Sequence, residues 1–313
     1  MPATHQAEHE VTVSAPATAI YGLIADVGNW PRMFPPTVYA DYVERSETDE
    51  RIRIWATANG DVKNWTSRRR LDPAALRVEF RQEVSSPPVA AMGGTWIVEP
   101  LPGDRARVRL LHDYSAVGDD PAGLAWIEQA VDHNSTSELA ALKASAEILV
   151  GAENELLASF EDSVRITGSA KDVYDFINEA DRWQERLPHV SRVSLREDTP
   201  GLQLLEMETK TADGSSHTTT SVRVCFPDAR IIYKQIAVPA LMSLHTGYWL
   251  FAQDGPTVTA TSQHTVIINT ANITAVLGEG AGIAEARSFV RDALGANSRA
   301  TLGYAKQYAE ARS

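Results

Sequence analysis

The sequence predicts an α+β chain of two tandem domains, each a curved antiparallel sheet closed around one long C-terminal helix. Three observations carry this. The 313 residues are about twice a common domain length. The second half repeats the first: NWPRMFP is answered by RWQERLP, so Trp30 and Pro35 meet Trp183 and Pro188, while Ser67, Arg69 and Pro73 meet Ser221, Arg223 and Pro227. GGTW is answered by TGYW, and Asn134 and Ser135 by Asn297 and Ser298. Within each half, a strand, a short helical pair, about six alternating segments and one long helical stretch follow in the same order.

EHEVTVSA and SFEDSVRITG alternate apolar and polar residues and open the two copies as strands. APATAIYGLIADVGNWPRMFP and SAKDVYDFINEADRWQERLP supply the short helices, each after a small polar or proline-bearing start. Gly, Pro and Asp then punctuate strands roughly ten residues apart, and long helices fall near 121–149 and 280–311. The domains are therefore expected at 1–151 and 152–313. A curved sheet wrapped on one helix leaves a cavity between them.

Composition narrows the function. A formal charge of −12 argues against nucleic acid as the main partner. Cys225 is the sole cysteine, so no intrachain disulfide forms and a reducing cytoplasm is the expected compartment. The start lacks a signal pattern, and no apolar run approaches the roughly 18 residues of a membrane span. HQAEH lacks the HExxH order of zinc proteases, GEGAG lacks the P-loop lysine, and no Gly-x-Ser-x-Gly elbow occurs. No metal or cofactor is expected.

The stretch NWTSRRRLD puts Trp65, Ser67 and Arg69 on one face of a strand. In LLHDYSAV, His112 and Tyr114 share a face: a histidine exchanges protons near neutrality and a tyrosine can donate to a departing hydroxyl. Both also fit a plain strand, as a histidine crossing an exposed face and a core tyrosine. Tyr114 is matched in the second copy by His264. His133 and Asn134 lie on the last helix of the first copy, facing either the cavity or solvent.

NWPRMFPPTV, RIRIWATANGDVKNWTSRRRLD, FRQEVSSPPVAAMGGTW and VDHNSTSEL resemble the aromatase/cyclases of bacterial type II aromatic polyketide synthases, and the whole chain is similar to the two-domain members. The order of elements resembles the helix-grip fold of the START and Bet v 1-like superfamily. The resemblance implies regiospecific first-ring aldol closure and dehydration of a poly-β-ketone carried on an acyl carrier protein, between carbons seven and twelve of a ketoreduced chain. It places Arg69 in the pocket, where a permanent planar cation would stabilise developing oxygen charge. Ser67 would donate to a neighbouring carbonyl and Trp65 would stack on the flat product.

Trp30, Trp55, Met92 and Trp96 are expected to line or roof the pocket, or else to be core. Arg81, matched by Gln235, is a second inward cation. PPVAAMGG is expected to form a lip, with Gly93 and Gly94 in tight turns. Ser221, Arg223, His264 and Trp183 would form a second-domain pocket, although Thr219 replaces Trp65 and Val222 and Val224 compete as the buried row. The N-terminal domain keeps the fuller motif and is read as the main catalytic site. The C-terminal domain is then a second active site, a holding cavity or a structural partner. The rival from another class is a noncatalytic START-like carrier or polyketide chaperone.

Overall fold

A computed structural model describes residues 3–58, 61–150, 155–210 and 216–313. The chain divides into two compact units, residues 1–154 and 155–313. The expected boundary between 151 and 152 lies outside the described residues.

The first unit runs β1 (His5–Val13), α1 (Ala17–Ala25), α2 (Trp30–Met33), β2 (Thr37–Arg45), β3 (Asp49–Ala58), β4 (Asp61–Asp72), β5 (Arg77–Gln82), β6 (Val89–Leu101), β7 (Arg105–Ala116) and α3 (Pro121–Val150). Its seven strands form one antiparallel sheet in the order β1-β7-β6-β5-β4-β3-β2. Alternation sorts the faces: Ala7 and Val11 of β1 pack inward while Glu8 reaches Arg109 on the outside. α3 turns Ile127, Val131, Ser135, Leu139, Leu142 and Ala146 inward at helical spacing, completing a core with Ile20, Ile24, Trp96, Val108 and Leu110.

The second unit repeats the plan as β8 (Leu157–Thr167), α4 (Ala170–Asn178), α5 (Trp183–Arg186), β9 (Val190–Thr199), β10 (Leu202–Lys210), β11 (Ser216–Phe226), β12 (Arg230–Ala237), β13 (Met242–Asp254), β14 (Thr257–Ile268), α6 (Ile273–Leu277) and α7 (Ile283–Glu310). Its sheet order is β8-β14-β13-β12-β11-β10-β9. Ser169 caps α4 by accepting from the Asp172 amide. Each unit is a helix grip. Among the described residues, no helix is long and apolar enough to cross a membrane, and no three His, Cys, Asp or Glu side chains are grouped to hold a metal ion.

Gly93 and Gly94 sit inside β6 instead of in turns. A side chain on Gly94 would run into the Leu111 carbonyl and the Phe80 ring. The glycine is what lets Phe80 lie flat across the sheet. Gly247 does the same beneath Tyr233 in the second unit.

Candidate active sites

The registers of the two sheets place six residues in one row across each inner face. In the first unit the row reads Glu50, Arg69, Phe80, Gly94, His112 and Ala7, from β3 to β1. In the second it reads Gln203, Arg223, Tyr233, Gly247, His264 and Phe160. An arginine and a histidine, with a glycine between them, are thus held toward opposite sides of each inner sheet face, and the other three residues of the row differ.

Both arginines are anchored the same way. The last carbonyls of a helix have no partner within it and carry partial negative charge, so they suit a guanidinium. Nη2 of Arg69 donates to the carbonyls of Ile24 and Ala25 at the end of α1, at 3.1 and 3.0 Å. Nη2 of Arg223 donates to the Ile177 carbonyl of α4 at 2.6 Å. Each guanidinium also lies over a tryptophan ring, Trp30 at 5.1 Å and Trp183 at 5.3 Å. Trp30 and Trp183 are themselves tied by their indole N–H to the carbonyls of Ile24 and Phe176.

The charge balance differs between the copies. Arg69, only 3% exposed, forms an ion pair with Glu50 at 3.3 Å, and Arg45 reaches the same carboxylate from outside at 3.1 Å. Burial raises the Glu50 pKa against the pull of both arginines, and burial lowers that of Arg69. Arg223, 2% exposed, faces the neutral amide of Gln203, which is turned to Asn178 and Glu197. Nη1 of Arg223 has no hydrogen-bond partner among the described residues. Glu197, bonded to Gln203, still favours the Arg223 charge from a distance, so Arg223 lacks the direct carboxylate contact that Arg69 has.

At the other end of the row, His112 meets the Ser135 hydroxyl through Nδ1 at 3.3 Å and stands edge-on to Phe80. Burial lowers its pKa to about 4. One turn beyond Ser135 stands Glu138, half-buried as a residue, whose carboxyl is desolvated and its pKa raised to about 7. The internal repeat equates Glu138 with Thr301, which lines the hollow of the second unit. Glu138 and Glu50 were missed in the sequence; their signal was a place on the inward face, at helical spacing from Ser135 and two residues before Ile52.

The second unit holds a half-open hollow of about 110 Å³, lined among others by Trp183, Ser221, Arg223, Tyr233, His245, His264, Asn297 and Ser298. His264 Nε2 lies 2.7 Å from the Ser298 hydroxyl, and its Nδ1 lies 2.9 Å from both the Tyr233 hydroxyl and His245 Nε2. Burial lowers His264 to about 4 and holds His245 well below the usual histidine range. Both imidazoles are neutral at neutral pH.

A family model described as polyketide cyclase/dehydrase and lipid transport matches residues 13–129 and 166–291, one stretch in each unit. The chain belongs to the polyketide cyclase/dehydrase family. This cyclase/dehydratase is 51% identical over 298 residues to the granaticin polyketide synthase bifunctional cyclase/dehydratase of Streptomyces virginiae, covering 95% of this chain and 97% of that one. It is 48% identical over 314 residues to the actinorhodin counterpart of Streptomyces coelicolor, covering 97% and 96%. Among solved structures, the di-domain ARO/CYC BexL from the BE-7585A biosynthetic pathway matches with TM-score 0.94 at 65% identity, over 98% of this chain and 99% of that one. The di-domain ARO/CYC StfQ from the steffimycin pathway matches with TM-score 0.87 at 34% identity, over 98% and 99%.

The cyclase/dehydratase brings some expected residues together and separates others. Trp65 packs inward on Val27, Ala40, Ile52, Ile54 and Ala56, in one row with Ser67 and Arg69. Ser67 is buried, but its hydroxyl donates to the Arg81 carbonyl at 3.0 Å. Trp96 stacks on Phe34 within the core, and its counterpart Trp249 lines the second hollow. Met92 opposes Tyr114, which is buried with Ile127 and Val131 beneath the start of α3 and stacked on His5.

Other expectations need correction. Trp55 lies on the outer face, stacked on Tyr39, because its neighbours Ile54 and Ala56 are the inward ones. Arg81 also points outward and pairs with Asp113 at 2.6 Å, since Phe80 takes the inner position. Its counterpart by register is Lys234, while Gln235 answers Gln82. His133 and Asn134 are exposed, because the helical turn that buries Ser135 carries its two predecessors to solvent. His264 stands in the place of His112, and Val266 in that of Tyr114. In β11 both rows are buried: Val222 and Val224 on one face, Ser221 and Arg223 toward the hollow.

Proposed function

We propose that the cyclase/dehydratase accepts a ketoreduced poly-β-ketone from an acyl carrier protein, closes its first ring between carbons seven and twelve by aldol condensation, and expels the reduced hydroxyl as water to leave an aromatic ring. The observation that carries this reading is the cross-sheet row, which holds a buried guanidinium and a neutral imidazole on the same inner face of the sheet, under the long helix. An aldol closure needs a base for the acidic methylene and a donor for the oxygen on which charge develops. In the N-terminal domain the base would be Glu138 or His112, and Arg69 would supply the donor through Nε or Nη1. Trp65 and Trp30 offer flat faces to a conjugated chain. Work in the cytoplasm, beside the synthase, fits a chain with one buried, unlinked cysteine.

Reconstitution with the minimal synthase and ketoreductase tests this. Arg69→Ala is expected to abolish the correctly cyclised product, with a loss of roughly a hundredfold or more. Unchanged products from folded Arg69→Ala and Arg223→Ala proteins would sink the arginine-centred mechanism and favour a carrier.

A further inference from the structure

The two rows share an arginine, a glycine and a histidine, yet at three neighbouring inward positions the C-terminal copy carries a polar side chain where the N-terminal copy is apolar. Tyr233 stands where Phe80 does, His245 where Met92 does, and Ser262 where Leu110 does. The additions converge on one point. The Tyr233 hydroxyl lies 3.4 Å from His245 Nε2, and both lie 2.9 Å from His264 Nδ1. Ser298 and Ser262, 3.0 Å apart, bracket His264 Nε2 at 2.7 and 3.2 Å. A hydrogen on His264 Nε2 donated to these hydroxyls leaves Nδ1 as an acceptor, which sets the neighbouring His245 Nε2 as N–H donor. His245 Nδ1 is then a bare acceptor, and it has no partner among the described residues. Arg223, also lining the hollow, likewise keeps an unsatisfied Nη1.

We propose that the C-terminal domain is a second acid–base site that performs the dehydration, with His245 as base, Tyr233 as acid, Arg223 as enolate binder and His264 as the positioning residue. The proposal rests on the cyclase/dehydratase reading above and deepens it. The ligand is a β-hydroxy ketone on a newly closed ring, and a hollow of about 110 Å³ is on the scale of one small ring.

The step balances within the site. His245 Nδ1 takes the proton α to the carbonyl, and the electron pair moves to the carbonyl oxygen as an enolate beside Arg223. The enolate re-forms the carbonyl and the carbon–carbon double bond forms as the β carbon–oxygen bond breaks. Tyr233 gives its proton to the leaving hydroxyl and receives one from His245 Nε2. One proton enters the pair and one leaves as part of water, so no oxidant, reductant or ion is required. His264 makes no bond to substrate; it holds the two partners at one nitrogen.

The N-terminal copy supplies the test substitutions. In the reconstituted synthase, full-length His245→Met and Tyr233→Phe are expected to accumulate a cyclised alcohol one water heavier than the aromatic product. Dehydration should fall roughly a hundredfold while cyclisation continues. His264→Gln should shift the same ratio, which mere loss of packing would not do. Folded His245→Met and Tyr233→Phe proteins that aromatise at the wild-type rate would overturn the assignment. A second readout does not depend on turnover: 1,3-cyclohexanedione, a ring enol, should shift the ring-nitrogen NMR signals of His245 and His264 in wild type and lose that effect in Arg223→Gln. No shift in wild type would also overturn it. A wild-type protein that cyclises nothing would instead sink the proposed function, with the nitrogen titration still deciding the C-terminal site.

Discussion

Nη1 of Arg69 lies 3.3 Å from Oε2 of Glu50, and both side chains are shut away from solvent. The equivalent pair across β10 and β11 is Arg223 and Gln203, with no carboxylate. One duplication has therefore produced an arginine in direct contact with a carboxylate in one sheet and an arginine set against a neutral amide in the other.

Removing one member of a buried ion pair strands the other. Glu50→Gln is expected to destabilise the N-terminal domain by about 3 kcal/mol. Urea unfolding followed by domain-specific fluorescence checks it, and an unchanged midpoint would show that the α1 carbonyls alone satisfy Arg69.

Glu138 titrates in the opposite sense to an ordinary paired carboxylate. Its folded pKa is raised from 4.5 to about 7, so the folded state holds a proton that the unfolded chain has lost. The resulting stability is fully present below pH 4.5 and disappears as the pH rises through 7. Glu138→Gln should gain on wild type by roughly 2–3 kcal/mol between pH 4.5 and 8. A pH-independent difference between the two proteins would refute the burial.

His112 and His264 carry the reverse dependence. Each is lowered from 6.5 to about 4, so the unfolded state binds more protons between those values. Their contribution is complete above pH 6.5 and is lost as the pH falls through 4. Imidazole NMR titrations should show both rings neutral at pH 5.5; a midpoint near 6.5 for either would place it in water.

Gly247→Ala should displace Tyr233, because the new methyl would meet the Tyr233 hydroxyl and the Gln263 carbonyl. A cost of about 2 kcal/mol or more is expected from such overpacking. The His264 ring signals should change with it, and unaltered signals would mean that Tyr233 is not held by this close approach.

Period and repetition determined much of this protein at the level of sequence. Alternating strands, two long helices and the ordered matches of Trp30 with Trp183, Arg69 with Arg223 and Ser135 with Ser298 sufficed for tandem helix-grip domains and for an inward arginine, because side-chain direction follows from local backbone geometry. The polyketide chemistry was legible through particular words of the chain. Register was not. Whether His264 answers His112 or Tyr114, and whether Arg81 or Phe80 faces the cavity, turns on which residues oppose each other across strands, and a slip of one residue reverses every face. Charge compensation was equally hidden. Glu50 and Arg69 are 19 positions apart, and only the hairpin between β3 and β4 brings them together. Local sequence chose the elements and their faces; the unequal chemistry of the two cavities was decided by contacts that exist only once the sheets have closed.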